Sequence, residues 1–221
     1  FKSLPFDPAK DFAMVSLLGT FDLVLVASGE SRFNSLQEML AYAKANPGKL
    51  NIGSINIGST QHLAAELFKH AANLDAQVVP FNGTPAVVTA LRGGQVDIAA
   101  EVLSPVLPQI KGGVLKALAI TGTERSRILP DTPTFREMGM EGFDKVTTSY
   151  SLYGPSAIPM ETLNALQGAV AEVLATADMR GILAAQAAVP VGNPVVDFQR
   201  QIVSDFEFWK KLAIENNLER E

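Results

Sequence analysis

Residues 49–62 read Lys-Leu-Asn-Ile-Gly-Ser-Ile-Asn-Ile-Gly-Ser-Thr-Gln-His, and no other stretch restricts the possible folds of this chain as tightly. Residues 50–54 are a short β-prone run, residues 56–60 have turn chemistry, and Leu63, Leu67, Phe68 and Ala71 recur at helical spacing. The pattern predicts a strand, a polar loop and a helix whose N-cap is Ser59 or Thr60. Such a loop presents two hydroxyls, the Asn56 amide and the unpaired N–H groups of a helix start, a set suited to a small anion such as a carboxylate. Nothing in it sets a nucleophile beside a base. A capped helix following a buried strand, with no ligand at all, satisfies the same spacing.

The unit recurs along the chain. Ser35 opens a helix with Glu38 three residues on, a capping box, and Leu36, Met39, Leu40 and Ala43 carry it to a stop at Asn46-Pro47-Gly48. Residues 78–81 form a strand, Asn82-Gly83 a turn, and Thr84 a cap with Pro85 at the first helical position, before Gly93-Gly94 ends the helix. Residues 96–102 are the next strand, Ser104-Pro105 repeats the cap-then-proline start, Gly112-Gly113 stops that helix, and residues 114–120 are again strand. Alternating strands and helices predict an α/β domain whose right-handed crossovers place the helix starts, and any ligand, at one edge of the sheet.

Upstream, residues 12–18 and 23–27 read as two strands, with Gly19-Thr20-Phe21-Asp22 a bend between them. Downstream, a short helix is expected to end at Gly139, residues 146–153 are β-rich, and Gly154-Pro155 suits a return crossing. Three helices follow, over residues 160–175, 179–188 and 194–216. In the last, Val195, Phe198, Ile202, Phe206, Trp209 and Leu212 form an apolar stripe that predicts packing against a core.

Composition excludes several classes of function. The chain has 221 residues, 47% hydrophobic, with a net charge of -5 and no Lys/Arg cluster, which argues against nucleic acid or an anionic membrane surface as partner. Without cysteine there is no disulfide, thiolate catalysis or zinc-thiolate site. No run of about 18 apolar residues provides a spanning helix, so direct membrane insertion is not expected. The chain opens on Phe1 with no signal peptide, so a processed, truncated or partly recorded sequence is expected, from which a targeting segment could be lost. No cofactor motif is present. His62, Glu66 and His70 fall at steps of four, but the two histidines are turned about 80° apart, which favours a solvated helix face over a metal site.

The landmarks taken together resemble a known family. Gly53-Ser-Ile-Asn-Ile-Gly-Ser-Thr-Gln-His62-Leu-Ala is similar to the G-S-x-G-x-G-[ST]-x-x-H-L-A signature of Bug-type receptors, the extracytoplasmic substrate-binding proteins of tripartite tricarboxylate transporters. In the same order, Leu4-Pro-Phe-Asp-Pro-Ala-Lys-Asp-Phe12 resembles LPYDPxxDF, Val79-Pro-Phe-Asn-Gly83 VPYKG and Leu91-Arg-Gly-Gly-Gln-Val-Asp97 LxGGQVD. Residues 115–121 resemble LRALAVT and residues 129–134 LPDVPT.

The resemblance implies a type II periplasmic-binding-protein fold, two α/β lobes closing on a ligand like a Venus flytrap. It places lobe 2 at residues 23–143 and leaves residues 1–22 and 144–221 as the remainder of an incomplete lobe 1. It further implies a periplasmic, non-enzymatic receptor that binds a small organic carboxylate and hands it to membrane transporter subunits, without a cofactor or metal. Chain like this on its own is expected to expose apolar surface and bind ligand poorly. Carried over by position, Ser54, Asn56, Gly58, Ser59, Thr60 and His62 are the expected ligand contacts, with Thr20, Phe21, Asn82 and Glu101 at neighbouring strand ends. Ile55 stands where a second serine is common and Asn56 where glycine is common, so Asn56 either takes a left-handed backbone or offers its amide. Glu101 either accepts from an amino group or falls on a solvated edge. Two other readings remain open: the effector domain of a LysR-type regulator, which shares the two-lobed fold, and a hydrolase using Ser54 or Ser59 with His62 and Glu66. Against the second, there is no G-x-S-x-G elbow, and all the members lie on one loop and helix.

Overall fold

A strand of 17 residues, β1 (Phe12–Ser28), replaces the expected pair of strands with a bend. Its continuity comes from partners remote in sequence. A Cβ on Gly19 would stand 3.1 Å from the carbonyl oxygen of Val189, so glycine serves close approach of a neighbouring backbone here, not a turn. The computed structural model describes residues 5–8 and 10–215, so Leu4 and Ala9 of the first motif and Asn216 of the last expected helix lie outside the described residues.

Two units partition the chain, one of Phe1–Thr20 with Ser149–Glu221 and the other of Phe21–Thr148. The second unit holds the repeated strand–helix pattern: α1 (Leu36–Ala45), β2 (Leu50–Ile55), α2 (Thr60–Ala71), β3 (Ala76–Phe81), α3 (Thr84–Arg92), β4 (Ile98–Val102), α4 (Leu103–Lys111) and β5 (Leu115–Ile120). Its strands run in the order β3-β2-β4-β1-β5. β2 pairs in parallel with both β3 and β4, while β1 is antiparallel to β4 and β5. The parallel strands therefore all end at the edge where the second half of β1 begins. Leu23, Leu25, Ile52 and Ile98 are buried in this sheet, as continuous apolar runs covered on both faces require.

Local chemistry explains most of the helix ends. Ser35 Oγ accepts from the Glu38 N–H at 3.2 Å while Glu38 Oε2 accepts from the Asn34 N–H at 2.8 Å, so the capping box closes one residue beyond its usual partner. Three expectations fail. Thr84 and Ser104 are not caps, because Gly83 and Val102 hold those positions and neither helix has a side-chain cap. Residues 135–139 form turns, not a helix, although Thr134 and Glu137 make reciprocal capping bonds of 3.1 and 2.8 Å. In α2 the buried face is Gln61, Ala64, Ala65 and Phe68, whereas Leu63 and Leu67 are half-buried and Ala71 is exposed.

The first unit contains the start of β1, most of β6 (Thr147–Pro155), α5 (Met160–Ala175), α6 (Ala177–Ala185), β7 (Ala188–Pro190) and α7 (Val195–Glu215). β6 and β7 pair with β1. Met14 and Leu17 pack with Phe198 and Ile202, while Val15 packs with Leu163 and Val195. Asn193 ties α7 to the strand, accepting from the Leu17 N–H at 3.0 Å through its side chain and from Ser16 Oγ at 3.2 Å through its carbonyl. Of the expected stripe on α7, Val195, Phe198 and Leu212 are buried, whereas Phe206 is exposed and Trp209 is half-buried against the edge of Phe208.

Candidate functional site

At the mouth of the second unit's sheet, the β2–α2 turn is built on Ser59. Its hydroxyl accepts from the His62 N–H at 3.1 Å and donates to the Ile55 carbonyl at 3.1 Å, so both of its hydrogen-bonding roles are used within the turn. Ser59 N donates to the Asn56 carbonyl at 3.0 Å, and Asn56 N to the Phe81 carbonyl at 3.1 Å, which fastens the turn to β3. The left-handed residue of this loop is Gly58, at φ +79°, with open space where its Cβ would be. Asn56 is not left-handed, and its exposed side-chain amide remains available. The first two helical amides, of Thr60 and Gln61, have no acceptor among the described residues. Thr60, which carries one of these amides, is half-buried.

Neighbouring strand ends supply acids. Glu101 closes β4 and is wholly buried, which removes the solvated-edge alternative. Its Oε2 accepts from Thr84 Oγ1 at 2.8 Å, and its Oε1 has no partner. This bond is what draws Thr84 away from capping α3. Burial pushes the Glu101 carboxyl up to about 7, against the lowering effect of the Thr84 hydroxyl and the Val102 amide. Asp22, near the start of the β1 segment in this unit, is pushed up to about 6 by burial alone. Its Oδ1 lies 3.4 Å from where a Cβ on Gly122 would stand, and Gly122 has φ +101°. Beside it, Thr121 Oγ1 accepts from the Leu23 N–H at 2.9 Å.

Strand register sorts these groups onto two faces. Val24 pairs with Glu101, so Asp22, two residues earlier, shares the face of Glu101. Gly53 pairs with Ala99 on that same face, where a Cβ would meet Val87 of α3 at 3.4 Å. Ser54 lies on the other face, under α2, wholly buried and with its Oγ unpaired.

The expected residues are therefore distributed as follows. Ser54, Asn56, Gly58, Ser59, Thr60 and His62 lie on one strand–turn–helix, Asn82 is exposed in the next turn, Glu101 is buried near the end of β4, and Phe21 is buried in β1. Thr20 belongs to the first unit. Thr20 and Phe21 sit within a strand, not in the crossover turn expected of them. Glu66, on α2, pairs with Lys69. Sequence reasoning missed Gln61, Thr84 as a partner of Glu101, and Asp22. Only the strand register could have exposed the last two.

Residues 1–218 match the sequence profile of the tripartite tricarboxylate transporter family receptor, TctC. The chain belongs to this family. It is 31% identical over 189 residues to BugT of Bordetella pertussis, covering 86% of this chain and 58% of that one. Among solved structures, an R. palustris protein with adipate matches with a TM-score of 0.91 at 27% identity, covering 98% of this chain and 72% of that chain. MatC from Rhodopseudomonas palustris with bound malate matches at 0.84 and 29% identity, covering 96% and 73%. The fold is that of the family's periplasmic binding proteins. The chain spans 58% to 64% of the length of the first curated relatives it matches. No helix among the described residues is long and apolar enough to cross a membrane.

Proposed function

We propose that this chain is part of a periplasmic solute receptor that captures a small organic carboxylate at the β2–α2 turn and delivers it to a tripartite tricarboxylate-type membrane transporter. The observation that supports this best is the pair of unclaimed amides at Thr60 and Gln61, on a turn that also carries the Thr60 hydroxyl and the exposed Asn56 amide. Ser59 orders the turn, and Gly58 permits its path. Relatives solved with adipate and malate point to the same ligand chemistry. Micromolar affinity requires about -8 kcal/mol. Charge-assisted hydrogen bonds contribute roughly 1.5–3 kcal/mol each, and the helix terminus up to ~2 kcal/mol where partly buried. Four or five such contacts are enough without a salt bridge.

Calorimetric titration of full-length protein with malate and with adipate tests the reading. Binding of either acid is expected, and Thr60→Val or Asn56→Ala should each weaken it roughly tenfold, the loss of one good hydrogen bond. Failure of both acids to bind a folded protein, or affinities indifferent to both substitutions, would count against it.

A further inference from the structure

We propose that Glu101 and Asp22 take up protons when an anion is captured at this mouth, so that the receptor binds its carboxylate together with a fraction of a proton. The inference rests on the carboxylate reading above and adds a linkage to it. Its basis is geometric. Ile55, the last residue before the anion-binding turn, and Glu101 each lie two residues beyond the Gly53↔Ala99 pair of adjacent strands, so they share its face at the same end of the sheet. Asp22 lies on the same face as Glu101, diagonal to it across the β1–β4 pair. A captured anion therefore sits close to two carboxyl groups that water reaches poorly.

Beside Asp22, the turn over residues 122–127 carries Glu124 and Arg127, both exposed, and Arg125, which is held by Glu137 at 2.9 Å, while the turn at Phe143 adds exposed Asp144 and Lys145. β2 contributes no titratable group, α3 none before Arg92 in its last turn, and α4 none before Lys111 at its end. On β5, Lys116 pairs with Ala27 at the far end of the sheet, and Asp97, preceding β4 at that end, is engaged by Arg32 at 3.4 Å. His62, Glu66, Lys69 and His70 belong to α2, which covers the opposite face. Among the described residues, Thr84 is the one side chain that hydrogen-bonds Glu101, and Oε1 has no hydrogen-bond partner. A negative charge added nearby disfavours ionisation of both carboxyls and so favours their protonated forms. Burial already holds both acids near neutrality, Glu101 at about 7 and Asp22 at about 6, so a modest further rise changes their occupancy within the physiological range.

Titration calorimetry of full-length protein with malate or adipate, between pH 6.5 and 8.5 in two buffers of different ionisation enthalpy, counts the protons directly. Both acids are fully ionised there, so proton uptake belongs to the protein. We expect net uptake near pH 7 and an affinity that falls roughly tenfold across the range, one pKa unit of linkage. Glu101→Gln should remove most of the uptake, and the Glu101→Gln, Asp22→Asn double variant all of it. Binding without proton uptake in the wild-type protein, or uptake unchanged in the double variant, overturns this inference and leaves the receptor reading intact. Absence of binding by a folded protein sinks both.

Discussion

At Glu101 the Thr84 hydroxyl on Oε2 and the Val102 amide favour the carboxylate less than burial disfavours it, and among the described residues Oε1 has no hydrogen-bond partner. The neutral acid is therefore the form that the folded protein prefers, and its carboxyl rises from 4.5 to about 7. The folded state holds this proton more tightly than the unfolded chain does. The resulting stability is full below pH 4.5 and is lost as pH rises through about 7. At about 1.4 kcal/mol per pKa unit, the whole loss is on the order of 3 kcal/mol. Asp22, raised from 3.8 to about 6, acts in the same direction over a lower window. Urea midpoints at pH 5 and pH 8 should separate widely for the wild-type protein and much less for Glu101→Gln, which keeps an acceptor for Thr84. Equal separations would mean that water reaches Glu101 after all.

The helices and strands show which local signals survive tertiary packing. Alternating apolar runs and turn residues delimit β2 to β5 to within about two residues, because a strand buried on both faces needs a continuous apolar run whatever covers it. Helix starts are less legible where a side chain has a distant rival for its hydrogen bond, as Thr84 has in Glu101, 17 residues on. β1 is misread for a related reason, because the carbonyl that demands Gly19 belongs to Val189. In α2 the larger residues suggest a face through Leu63 and Leu67, yet the sheet takes Ala64 and Ala65, since small side chains let a helix sit close over β2 and β4 while Phe68 reaches Phe135 at a ring separation of 5.8 Å. That rotation can be tested. Ala65→Leu should overpack and cost roughly 1–3 kcal/mol, whereas Leu63→Ala, at a half-buried site, should cost clearly less in the same denaturation assay. The reverse ranking would restore the face that hydrophobic spacing suggests.

At the scale of the whole molecule, the two units differ in how far their helices are buried. In the second unit, α1 to α4 each bury three or four residues, with apolar side chains turned to the sheet. In the first, α5 buries only Leu163 and α6 none, and α7 buries three residues over 21. Met160, Val173, Ile182, Val196, Val203 and Ile214 are each at least half exposed, Val203 and Ile214 by 64% and 63%. Isolated apolar residues at a surface are ordinary, but a series of them over three consecutive helices amounts to uncovered core-type surface. The family's own dimensions bear on this, because the chain spans under two thirds of the first relatives' length. Produced as these 221 residues, the protein is expected to brighten a hydrophobic dye such as ANS and to self-associate as concentration rises. Within a polypeptide of the relatives' length, the dye signal per molecule should fall several-fold, and Val203→Lys with Ile214→Lys should lower it only in the shorter form. A dye-silent, monomeric 221-residue chain would show that these side chains lie too far apart to act as one surface.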